Sequence, residues 1–183
     1  MPRLNLSAML RKAAANLEDS LRHYEDPVVG LAREFVDLKL QASIFQYDVC
    51  AEMVGYERAK PSGFAASLAR KGLVLRLYEY NSLLNSTLVP RLLKLARSRG
   101  VDFTVESIKR VKTPLSRDLK RINQWSDFRN NAGGHYGKNF KAQVEVLRDL
   151  NHVDVMNSTK AFLSFNMALL VALRDIGRGA FDA

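Results

Sequence analysis

Apolar residues recur three or four positions apart along almost the whole chain, and this period restricts the folds open to it. Leu73, Leu77, Tyr80, Leu84 and Leu88 form one such series; Leu6, Leu10, Ala13, Ala14, Leu17 and Leu21 form another. That spacing gathers side chains on one face of a helix, whereas a half-buried strand needs strict alternation. Strand-like alternation nowhere exceeds four or five residues, and no repeat period is found. The chain is therefore expected to fold as an all-α, single-domain helical bundle of about five to six main helices. Its 183 residues suffice to enclose one continuous core.

Punctuation residues divide the pattern. A first helix is expected from Leu4 to about Tyr24, followed by Asp26-Pro27, with Asp26 suited to an N-cap and Pro27 to a first helical position. A second, carrying Leu31, Phe35, Leu38, Ala42, Phe45 and Val49, should run from Val28 to about Met53 and end at Gly55. Pro61-Ser62-Gly63 lead to a third, from about Phe64 to Arg97, which Pro90 should kink or split. Arg91, Lys94, Arg97 and Arg99 gather at its carbonyl end before Gly100 stops it. A short helix opens around Asp102-Phe103-Thr104 and is interrupted at Thr113-Pro114. Ser116 to about Ala132 is the fourth main helix, Phe140 to Leu150 a fifth, and Asp154 to Ile176 the last, ending at Gly177 with a frayed tail over 178–183.

Charge narrows the choice of partner. The net charge is +9 and the pI near 9.8, which suits a polyanion as well as simple solubility. Between Glu106 and Lys141 nine Lys and Arg face three acids, so +6 of the total lies there. Cys50 is the only cysteine, which excludes an internal disulfide framework and fits a reducing compartment; it reads as a small buried hydrophobe. Met1 to Ala15 has no continuous apolar run before a cleavage site, and Met167 to Leu173 is too short to span a bilayer. A cytoplasmic protein without a membrane partner is expected.

One stretch breaks the apolar pattern. Leu115, Leu119, Ile122 and Trp125 form a helical stripe, and Arg129 falls in the same stripe where a core residue is due. A guanidinium there is costly to desolvate unless it has a partner or a task. Around it stand Phe128-Arg129-Asn130-Asn131-Ala132-Gly133-Gly134-His135-Tyr136-Gly137. Arginine offers a forked, permanently charged donor for phosphate, and histidine exchanges a proton near neutral pH. Together they supply what cleavage of an RNA phosphodiester needs without a metal or cofactor. On an ideal helix the two side chains would diverge by about 120° and lie about 9 Å apart along the axis. Either Gly133-Gly134 lets the chain swing His135 back towards Arg129, or a two-fold dimer brings two copies of each into one cleft. The plain alternative is that the glycines end a helix, His135 is a surface residue and Arg129 snorkels to water.

The run Arg129-Asn130-Asn131-Ala132-Gly133-Gly134-His135-Tyr136, late in an all-helical chain, resembles the HEPN superfamily (higher-eukaryote and prokaryote nucleotide-binding domains). That family's signature is Arg, four to six residues, then His, commonly with a polar residue directly after the Arg. The resemblance implies a helical bundle that dimerises with the motifs facing each other. It also implies metal-independent endoribonuclease activity, as in toxin–antitoxin or phage-defence systems. Arg129 and His135 would then be the catalytic pair and Asn130 a supporting polar group. Tyr136, Lys138, Lys141, Lys120 and Arg121 are expected RNA contacts from charge and proximity alone. A homodimer is expected, with an antitoxin or a nucleotidyltransferase as a further partner. In toxins paired with a nucleotidyltransferase a modifiable tyrosine follows the histidine by two positions; here that position is Gly137. Two other readings stand beside the nuclease: a catalytically silent HEPN-like domain that holds a nucleotide, RNA or a protein, and a helical interaction protein whose Arg129 is structural, paired with Asp127 or an acid on another helix.

Overall fold

The spacing of three and four is realised as helix. A computed structural model describes residues 5–26, 33–126 and 140–178, and among them every regular element is helical. In chain order these are α1 (Leu6–Glu25), α2 (Arg33–Ala59) and α3 (Gly63–Leu83), which a π-helical turn (Leu84–Leu88) continues into α4 (Val89–Ser98). Then come α5 (Val105–Lys112), α6 (Ser116–Lys120), α7 (Phe140–Arg148) and α8 (His152–Arg178). A 3-10 turn at Thr113–Leu115 joins α5 to α6, and another at Arg121–Trp125 follows α6. The all-α bundle is thus the architecture, with α8 packed against α2, α3, α4, α5 and α6, and α1 laid along α2.

Several boundaries differ from the sequence expectation, each for a packing reason. Helix α2 runs through Gly55 to Ala59, and past the glycine Tyr56 is held through its hydroxyl, which accepts from Arg70 Nη1 at 3.3 Å. The chain turns only at Lys60 and Gly63, both at positive φ. Helix α8 begins early because Asn151 caps it: Oδ1 accepts the N–H of Val153 at 2.8 Å and of Asp154 at 3.2 Å. It also runs through Gly177, where an added Cβ would lie 2.9 Å from the Phe35 ring. Gly177 therefore permits close approach of α2 and α8, and the helix closes one residue later, at Arg178. On α1 the buried face ends at Ser20, whose Oγ lies 2.8 Å from Ser43 Oγ on α2, and Leu21 is exposed. The expected helix from Ser116 tightens into a 3-10 turn after Lys120. Leu119, Ile122 and Trp125 are three apart, and three residues per turn stack them on one side.

Pro90 neither breaks nor ends the third helix. Proline has no N–H to give to the carbonyl four residues back, and the preceding turn widens, with the Val89 N–H donating to the Leu84 carbonyl. The apolar face stays in phase across this turn: Leu73, Leu77, Tyr80, Leu84, Leu88, Leu92 and Leu95 are all buried. Helix α4 then closes at Gly100, at positive φ, with Gly100 N–H bonded to the Arg97 carbonyl and Val101 N–H to that of Ala96.

Inside the core sits a polar cluster. Asn166 of α8 has no solvent exposure; its amide nitrogen donates to the Ala42 carbonyl at 3.0 Å and to Gln46 Oε1 at 2.9 Å, both on α2. Its Oδ1 accepts the Tyr80 hydroxyl from α3. Tyr80 in turn stacks on Phe45, and burial pushes its phenol far above the ordinary range. Removing the hydroxyl leaves the Asn166 oxygen buried without its donor. Tyr80→Phe is therefore expected to cost about 1–3 kcal/mol in urea unfolding, and an unchanged midpoint would contradict the role given to the cluster.

Candidate functional site

The motif residues Arg129, Asn130, His135, Tyr136 and Lys138 lie within 127–139, outside the described residues. The described elements on either side of that stretch share a support. The Arg121–Trp125 turn packs against α3 and α8, and α7 packs against α3 as well. Trp125 is buried at the end of the turn, and it lines a surface cleft with Val146 and Leu150 from the end of α7. Helix α3 thus carries both flanks.

Of the expected RNA contacts, three are described. Lys141 is exposed on α7, and Lys120 is exposed at the end of α6. Neither forms an ion pair among the described residues. Arg121 is differently placed: its side chain is only 17% exposed, with Nε 3.1 Å from Asp118 Oδ1 and Nη1 2.6 Å from Asp154 Oδ1. Two carboxylates occupy the fork, so Arg121 ties the turn to the first turn of α8 instead of offering its charge to a phosphate.

A second polar constellation went unread in the sequence. Asn81, Asn85, Lys112, Ser116, Lys120 and Asn123 line a cleft of about 280 Å³ beside the π-helical turn, over a floor of Leu84, Ile122, Phe162 and Phe165. Asn85 donates through Nδ2 to the Asn81 carbonyl at 2.8 Å and to Asn81 Oδ1 at 3.1 Å. Its Oδ1 accepts from Lys112 Nζ at 3.2 Å, and that ammonium lies 5.2 Å from the centre of the Phe165 ring. The available sequence signal was Asn81 and Asn85 four apart on the helix, just ahead of Pro90. A further cluster joins distant residues: Arg70 Nη1 donates to Tyr56 Oη at 3.3 Å, and His152 Nδ1 lies 3.3 Å from the same oxygen. It braces α2, α3 and the start of α8.

Among the described residues no helix is long and apolar enough to cross a membrane. No family model, curated protein or solved structure matches the chain.

Burial alone pushes the Lys112 amine below the ordinary lysine range. The folded protein therefore holds that proton less tightly than the unfolded chain, and its stability rises with pH between the depressed value and the ordinary 10.5. Below that window the buried cation is a standing cost. Lys112→Met is expected to raise the Tm modestly at pH 7, with the gain over wild type shrinking as the pH approaches 10.5. Thermal unfolding followed by circular dichroism at both pH values checks this; a lower Tm at pH 7, or a pH-independent difference, would contradict it.

Proposed function

We propose that the chain is a metal-independent endoribonuclease of HEPN type, working in the cytoplasm within a toxin–antitoxin or phage-defence system. The observation that carries this is the sequence Arg129-Asn130…His135, set in a segment holding +6 of the chain's +9 charge. The architecture agrees in kind, with long helices before the motif and the 27-residue α8 after it. The likeness to HEPN proteins remains one of motif and helical order.

The chemistry follows from the two side chains. His135 takes the proton of a ribose 2′-hydroxyl, and the 2′-oxygen attacks the adjacent phosphorus. The bond from phosphorus to the 5′-oxygen breaks, and that oxygen receives a proton from an imidazolium. Arg129 stabilises the charge that builds on the non-bridging oxygens, through donors that cost little reorganisation. A homodimer would supply two imidazoles, one as base and one as acid, and Asn130 would steady the pair. Lys141 and Lys120, with Tyr136 and Lys138, would hold the RNA backbone. An antitoxin or a nucleotidyltransferase is the further partner, although the tyrosine such an enzyme would modify is replaced by Gly137.

The exposed charges of Lys120 and Lys141, which form no ion pair among the described residues, also favour a second reading, a catalytically silent HEPN-like domain that binds a nucleotide or RNA or pairs with a protein. The two readings separate in one assay. His135→Ala should lower cleavage of single-stranded RNA by at least about 100-fold while leaving the circular dichroism spectrum unchanged, and EDTA should have no effect. Binding that falls steeply with salt, without cleavage by the wild type, would support the silent domain instead.

A further inference from the structure

We propose that the cleft beside the π-helical turn binds a small phosphate ester, with Lys112 as the charge that receives the phosphoryl group. Neither Arg129 nor His135 is called on here, and the nuclease reading is not needed.

The argument begins with an uncompensated cation. A half-buried ammonium is ordinarily matched by a carboxylate, yet among the described residues Lys112 Nζ has as its polar partner only the amide oxygen of Asn85. An amide dipole orients the ammonium without neutralising it. Of three ammonium donors one is used, which leaves two for a ligand. Asn85 is itself fixed by its two bonds to Asn81, so the head of Lys112 is positioned before any ligand arrives.

The surroundings select the ligand's charge and size. No carboxylate stands among the described residues that line the cleft, whereas Lys120 adds a second positive charge and Ser116 and Asn123 add neutral donors. Leu84, Ile122 and Phe162 beneath are almost wholly buried, and a dry floor strengthens the pairing of charges above it. A volume of about 280 Å³ holds a phosphoryl group with a compact organic body. An extended strand would instead need a groove that tracks its backbone. The widened turn matters too: the Asn81 carbonyl takes the Asn85 side chain there, which sets that side chain at the cleft's edge.

The test uses the full chain and isothermal titration with inorganic phosphate, phenyl phosphate and, separately, a single-stranded RNA oligonucleotide. Saturable binding of phenyl phosphate, tighter than that of inorganic phosphate, is expected. It should weaken at least about tenfold in Lys112→Met and in Asn85→Asp, with oligonucleotide binding unchanged. The second variant places a carboxylate of similar size beside the ammonium, so it decides the matter should Lys112→Met fail to fold. Absence of saturable binding by both phosphates, or binding equal to wild type in the variants, would overturn the proposal. Weakening of the oligonucleotide alone would overturn it as well, and would assign the cleft to an RNA path.

Discussion

A single amide in the middle of the core fixes how three helices meet. Asn166 on α8 can satisfy its buried hydrogen-bonding groups only when Gln46 and the Ala42 carbonyl of α2 and the hydroxyl of Tyr80 on α3 are all in register. An apolar contact tolerates small slips of one helix along another; a buried hydrogen bond does not. Phe162 and Phe165 from α8, Leu73 and Leu77 from α3 and Leu38 from α2 are among the largest wholly buried side chains of the core. The amide supplies the alignment. Gly177 works to the same end further along α8, where the lack of a side chain lets Phe35 come close.

Once α3 is set in register, the surfaces that matter for function follow from it. It bears the 3-10 turn that leads into residues 127–139 and the helix α7 that comes after them. Its own continuation past Pro90 requires a widened turn, and that turn presents Asn85 to Lys112. The same helix therefore supports the flanks of the Arg129–His135 segment and forms one wall of the phosphate cleft. Arg121 contributes by clamping the turn to α8 through Asp118 and Asp154. Its charge and its near neighbour Asp118 were legible in the sequence; its distant partner Asp154 was not.

What could be read from the sequence was whatever depends on local period. The series from Leu73 to Leu88 lands wholly in the core, and the all-helical class follows from such series. Glycines were less informative. Gly55 suggested an end, because glycine relaxes the backbone locally, but its helix continues to Ala59; at Gly177 the expectation was off by one residue, the helix closing at Arg178. Gly100, which takes a positive φ, does end its helix. The spacing of three from Leu119 to Trp125 announced a helical face, although not that its winding would tighten to 3-10. Asn166 was invisible for a different reason: its partners Gln46 and Tyr80 lie 120 and 86 residues away, a distance no local pattern spans. The candidate nuclease residues were found through a chemical misfit, a cation in an apolar stripe, whereas Asn85 and Lys112 sat at positions where polar residues look ordinary.

The central functional claim is that a guanidinium and an imidazole act on one phosphodiester through the neighbouring 2′-hydroxyl. It is tested most directly by identifying the ends of the fragments made from a defined single-stranded RNA, using mass spectrometry. The account predicts a 2′,3′-cyclic phosphate on one fragment and a 5′-hydroxyl on the other, with no cut where the cleaved ribose carries a 2′-deoxy substitution. Fragments bearing 5′-phosphate and 3′-hydroxyl, or cleavage that survives loss of the 2′-hydroxyl, would contradict it.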